Sequence, residues 1–269
     1  MLLLSVLAAL WMRLSPPHPV QWGRAVRAIR AMQRDPERSD LIFELNAALA
    51  GDDVERQFQF FLAEPDAPEL LRRRPSLLAL LSDFSRLRAL PPDTLGHAYL
   101  RLMEANGRTA DGLRRESEKV ASYLRLSPGA ERRWYTERVH CVHDLLHVLT
   151  GYGQDPAGEA ALLAFYDGWN AQRRRVRVVR FGMITSLLSG PRATWLRAAR
   201  FSLWARRRGK DARIPLSFAW ESALPRPLDE VRAALRIDAP RRAHPEGVLQ
   251  GGVDTPWRAI PFSEAPPVR

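Results

Sequence analysis

A chain of 269 residues, 46% hydrophobic and 26% charged, is long enough to bury a core, and its lone cysteine, Cys141, excludes an intramolecular disulfide. The formal charge of +11 invites a nucleic-acid reading. Of 41 basic residues, however, only Lys119 and Lys210 are lysines, an arginine bias typical of a GC-rich genome, so no nucleic acid is expected. The charge favours an anionic partner such as a phospholipid surface.

The chain opens with an apolar leader, residues 1–20. Its run from Met1 to Met12 is broken by Pro16, Pro17 and Pro19 and falls short of the roughly 20 residues that a spanning helix requires. It lacks the basic start and the cleavage site of a secretory signal. The absence of acidic residues before Asp35 suits a mitochondrial presequence, but Arg24, Arg27 and Arg30 fall on the first helix of the folded part. The expectation is therefore a bacterial cytoplasmic protein, peripheral on the inner face of the inner membrane, or at the mitochondrial inner membrane if the source is eukaryotic. In either setting the leader touches the membrane interface.

Helical periodicity dominates the rest. Ala25, Ile29 and Met32 form one apolar face, and Leu41, Ile42, Leu45, Ala48 and Leu49 a second, ending at Gly51. A third helix starts near Asp53 and carries Phe58, Phe61 and Leu62. A fourth is expected from Pro75 to Leu90, on the spacing of Leu77, Leu78, Leu81, Phe84 and Leu87. Thr94 to Asn106 follows, ended by Gly107, and another helix starts near Asp111. A long central helix runs from about Ala130 to Thr150. Asp155-Pro156 caps the next one. Residues 173–180 read as helix, with a strand as the alternative. A helix from Arg192 to Arg208 is expected to halt at Gly209, and a short one closes at Leu228 to Leu235. After Asp238 the sequence turns to Pro, Gly, Arg and Glu without periodicity or strand pairs. The fold class is thus all-α: a single-domain helical bundle over 21–238 with an irregular or disordered tail over 239–269.

One constellation carries chemistry. In His143-Asp144-Leu145-Leu146-His147 the two imidazoles stand four residues apart, one turn along one face of the central helix, where both can bind one ion. Glu159 comes twelve residues after His147, beyond a turn rich in Gly and Pro, and can fold back over the pair. Two histidines and a carboxylate form a recurrent open zinc set. Asp144 either completes the ligand shell or orients a ligand. Each residue also has a bland origin: a chance histidine pair, a solvated Asp144, a Glu159 that merely suits a helix N-terminus. His140 reads as an incidental surface residue, His97, His18 and His244 as unremarkable, and Cys141 as a packed small side chain. A zinc peptidase would need Glu where Asp144 stands. An HD-type phosphohydrolase would need further His and Asp ligands, and none stands out.

The flanks make the pattern recognisable. Val142-His143-Asp144 leads in, His147-Val148-Leu149-Thr150-Gly151-Tyr152-Gly153 leads out, and Gly158-Glu159-Ala160-Ala161 closes it. With Leu90-Pro91-Pro92-Asp93-Thr94-Leu95-Gly96 upstream, and Trp220-Glu221 and Pro227-Leu228-Asp229-Glu230-Val231-Arg232 downstream, the chain resembles the coenzyme Q (ubiquinone) biosynthesis protein four family from about Arg24 to Ile237. The resemblance implies an all-helical fold and a divalent ion, zinc by expectation, on His143, Asp144, His147 and Glu159, which would also be the catalytic residues. It implies removal of the C1 carboxyl group from a polyprenylated benzoate precursor, coupled to hydroxylation at that carbon. The alternative is a non-catalytic, lipid-binding scaffold with a structural metal. Expected partners are the polyprenylated aromatic lipid, other ubiquinone-biosynthesis proteins and a membrane surface, with homodimerisation left open.

Overall fold

A computed structural model of the chain describes residues 21–34, 45, 48, 53–108, 129–170, 195–251 and 258–260. Among these residues it has twelve helices and one two-stranded antiparallel sheet. No described helix is long and apolar enough to cross a membrane. The leader and the expected helix at 173–180 lie outside the described residues, as does most of the second expected helix and the one near Asp111.

The chain divides into two compact units. The first contains α1 (Trp22–Arg34), α2 (Asp53–Leu62), α3 (Ala67–Arg73) and the opening turns of α7 (Ala130–Thr150). Its core is aromatic: Phe61 lies 4.9 Å from Tyr135 and 6.0 Å from Phe58, ring centre to ring centre. Arg132 grips Glu55 with two parallel hydrogen bonds of 2.6 and 2.7 Å, the fork geometry that makes guanidinium–carboxylate pairs specific. Glu64 accepts from the backbone N–H groups of Leu216 and Ser217, which satisfies an otherwise orphaned loop.

The second unit holds α4 (Leu77–Ser82), α5 (Phe84–Arg88), α6 (Leu95–Ala105), the rest of α7, α8 (Pro156–Trp169) and α9 (Trp195–Asp211). The short α10 (Trp220–Ala223), α11 (Leu228–Ala234) and α12 (Pro240–Ala243) belong to it, with β1 (Val248–Gln250) and β2 (Arg258–Ile260). The helix expected from Pro75 to Leu90 is two helices. Asp83 ends α4 and starts α5, because its carboxylate accepts from the Arg86 N–H and the Ser85 hydroxyl. Thr94 caps α6, and the backbone there pairs with Pro227, tying α6 to the segment that opens α11.

Gly209 does not stop its helix: α9 continues to Asp211. A Cβ on Gly209 would stand 2.0 Å from the Phe165 carbonyl oxygen, and one on Gly168 would stand 2.0 Å from that of Arg206. The two glycines let the backbones of α8 and α9 meet directly, so both serve packing rather than termination. The tail is partly built as well. Where the sequence shows no strand pair, Val248 pairs with Ile260 and Gln250 with Arg258. Three-residue strands are too short for a period-2 signal to emerge.

Candidate metal site

Helix α7 presents His143 and His147 one turn apart, as their spacing dictates. Its C-terminal carbonyls are claimed by two buried arginines. Arg232 donates to the oxygens of Leu149 and Val148, at 3.0 and 3.1 Å, and Arg208 donates to that of Thr150, at 2.6 Å, and to that of Asp238. These cations suit the negative end of the helix dipole and fix the turn that carries His147. Beyond Thr150 the chain reverses at Gly151, with φ of 74°. The Tyr152 carbonyl then returns to accept from His147 Nδ1–H at 3.0 Å. That bond settles the tautomer and leaves the His147 Nε2 lone pair facing the site.

Asp155 starts α8, its carboxylate accepting from the N–H groups of Ala157 and Gly158 and, from the tail, of Gly251 at 2.8 Å. Gly158 has no side chain because a Cβ there would meet the Gly153 carbonyl oxygen at 2.0 Å. This close approach brings Glu159 over the histidines. Glu159 Oε1 lies 3.2 Å from His147 Nε2, Oε2 lies 3.4 Å from His143 Nε2, and the two Nε2 atoms are 3.2 Å apart.

Ligand atoms of His143, His147 and Glu159 therefore all fall within 4.8 Å of one another, which suits two imidazoles and a carboxylate around a single divalent ion. His147 is buried, while the side chains of His143 and Glu159 keep 32% and 33% of their exposure, so the cluster opens to one side. Asp144 stands outside the converging group but within reach of its charges. Burial raises its carboxyl above the ordinary range against the opposing pull of both histidines and Arg108. Burial also disfavours charge on His143 and Glu159, yet their attraction outweighs it: Glu159 is held well below the usual carboxylate range and His143 above the usual imidazole range. Without an ion the two form an ion pair.

Three contributors escaped the sequence reading. Tyr166 stacks on His143, rings 13° apart and centres 6.0 Å apart. Its position seven residues after Glu159, on the same helix face, was the available signal. Tyr152 supplies a backbone atom, which no side-chain motif announces. His244, expected to be unremarkable, is buried from the tail side. Its Nε2 accepts from the Tyr152 hydroxyl at 3.0 Å, and its ring contacts Phe201 and Trp204. Burial, followed by the charge of Arg208, lowers its pKa to about 4.

A model of the family described as coenzyme Q (ubiquinone) biosynthesis protein Coq4 matches residues 21–241. The mitochondrial ubiquinone biosynthesis protein COQ4 homolog of Danio rerio is 28% identical over 210 residues, which span 78% of this chain and 73% of that protein. Mitochondrial COQ4 of Phaeosphaeria nodorum is 28% identical over 207 residues, spanning 77% and 67%. A crystal structure of a Nostoc punctiforme protein provisionally assigned to ubiquinone biosynthesis superposes with a TM-score of 0.56 at 19% identity. It covers 82% of this chain and 100% of that one, a likeness of fold. With the family model spanning most of its length, the chain belongs to the Coq4 family of coenzyme Q (ubiquinone) biosynthesis proteins.

Proposed function

We propose that this protein removes the C1 carboxyl group of the polyprenylated benzoate ring precursor of ubiquinone. The site is a divalent-metal centre on His143, His147 and Glu159, with Asp144 beside it. One observation carries the reading: three ligand-type side chains from two helices converge within 4.8 Å at a site that is open on one side.

The donor set suits a zinc-type ion, which when bound would supply Lewis acidity toward the phenolic or carboxylate oxygens of the ring. The chain's own residues do the rest. Tyr152 holds the His147 tautomer, and Tyr166 extends the aromatic wall beside His143. As the bond between C1 and the carboxyl carbon breaks, carbon dioxide leaves, the electron pair stays on C1, and C1 takes up a proton, which we assign to Asp144. The hydroxylation that the family resemblance couples to this step needs an oxidant and is not asked of these residues. Carboxyl-labelled substrate tests the assignment. Glu159→Ala should release no labelled carbon dioxide while keeping its far-UV spectrum, and Asp144→Asn should keep its metal yet turn over slowly. Full activity in Glu159→Ala contradicts the proposal.

A scaffold reading has one observation of its own. His147 is wholly buried, and an ion here would clamp α7 to α8 as a structural zinc does. Stripping the metal would then lower the melting temperature of a protein that releases no carbon dioxide. Both readings set the chain at an inner-membrane surface beside other ubiquinone-biosynthesis proteins. That surface is the cytoplasmic face in a bacterium or the inner membrane in a mitochondrion, and the relatives are named as mitochondrial proteins.

A further inference from the structure

Helix α9 meets α8 through Gly209, and its other side faces outward. There Leu196, Leu203 and Trp204 are 70%, 61% and 52% exposed, with Arg197, Arg200, Arg207 and Lys210 exposed among them. Residues 196, 200, 203, 207 and 210 follow helical spacing, so the apolar and basic side chains share one stripe. The only acid on α9 is Asp211, its last residue.

Large apolar side chains held in water mark an interaction surface. The charge around them decides which kind: a second copy of this face would bring like charges together, whereas an anionic surface complements it. Long basic side chains also reach from an apolar layer to phosphates, and Trp favours the boundary between the two. Helix α1 repeats the pattern independently. Trp22 and Val26 are exposed on a face that continues to Arg30, while Ala25 and Ala28 are buried.

We propose that the outward face of α9 docks on an anionic phospholipid bilayer, with Leu196, Leu203 and Trp204 entering the headgroup boundary and the basic side chains on lipid phosphates. The purpose of this docking rests on the prenylated-substrate reading. The inner side of α9 packs on α8, the helix that carries Glu159. Trp204 also contacts His244, whose Nε2 is hydrogen-bonded to the Tyr152 hydroxyl. Docking through α9 would thus hold the site one helix away from the bilayer in which a prenylated substrate resides.

The test is co-sedimentation of the full chain with vesicles, without substrate. Vesicles of phosphatidylcholine alone are compared with vesicles that also contain phosphatidylglycerol. The wild type should bind the anionic vesicles, less so as salt rises. Leu196→Glu with Leu203→Glu should cut that binding by about tenfold or more with the far-UV spectrum unchanged, since both side chains face water in the free protein. Arg200→Glu with Arg207→Glu should do the same on anionic vesicles only, on the order of fivefold per basic residue lost. Wild-type binding by the double leucine variant overturns the proposal. So does a variant that converts an oligomer to monomers without changing vesicle binding, because the face would then belong to a second copy. Carbon dioxide release is read separately, so failure of the catalytic reading leaves the vesicle result intact.

Discussion

His147 and Tyr152 are joined by a side-chain to backbone hydrogen bond of 3.0 Å, so the loop that ends α7 also orients the buried ligand of the site. The loop turns on Gly151, whose φ of 74° strains any other residue, and a Cβ there would meet Pro240 at 2.3 Å. Gly151→Ala should therefore cost about 2 kcal/mol of stability and weaken metal binding by about tenfold, through the displaced Tyr152 carbonyl. Paired melting and metal-titration curves check both. A loss of stability with unchanged metal affinity would show that the carbonyl does not orient the ligand.

In the metal-free protein the Glu159–His143 pair should contribute most in mildly acidic solution. Glu159 has a depressed pKa, so its contribution is present above its unfolded value of 4.5 and is lost as pH falls toward the folded one. His143 has a raised pKa, so its contribution is present below its unfolded value of 6.5 and is lost as pH rises through the folded one. The ion pair is thus fully counted between about pH 5 and 6.5. Melting temperatures of Glu159→Gln and wild type, both metal-free, should differ most in that window and converge on either side. Metal binding should strengthen as pH rises past the window, because His143 must lose its proton to become a ligand.

His244 gives a second, separable pH dependence. Its pKa falls to about 4 from 6.5, so its contribution is complete above 6.5 and is lost as pH drops toward 4. The loss should be on the order of 2 to 3 kcal/mol. His244→Gln can still accept from Tyr152 but cannot titrate. Its unfolding free energy, followed from pH 7 to pH 4, should fall less steeply than that of the wild type, and equal slopes would count against a buried neutral imidazole.

Gly209→Ala should be among the most damaging small substitutions in the chain. The added Cβ would meet backbone rather than a movable side chain, so α8 and α9 must separate, at a cost of about 3 kcal/mol. Because α8 carries Glu159, metal affinity should fall with stability. Denaturant unfolding checks the first effect and metal titration the second.

The sequence revealed what periodicity and spacing can encode. The long helices followed from apolar repeats, the starts of α6 and α8 from Thr94 and Asp155-Pro156, and the candidate site from His143, His147 and Glu159. It hid what depends on partners distant in the chain. Gly209 reads as a stop until Phe165 is seen against it, and His244 reads as tail until Tyr152 is found bonded to it. Arg208 and Arg232 look like surface charge in an arginine-rich chain, yet both are buried on the last carbonyls of α7. Asp83 splits an apparently continuous helix because a local cap competes well where no long helix is needed.

The proposed chemistry stands on a divalent ion held by His143, His147 and Glu159. Metal content by mass spectrometry, on purified wild type beside His147→Ala after loading with zinc, iron or manganese, tests it most directly. About one equivalent is expected in the wild type, and its loss in a folded His147→Ala. A wild type that takes up none of the three metals would contradict it.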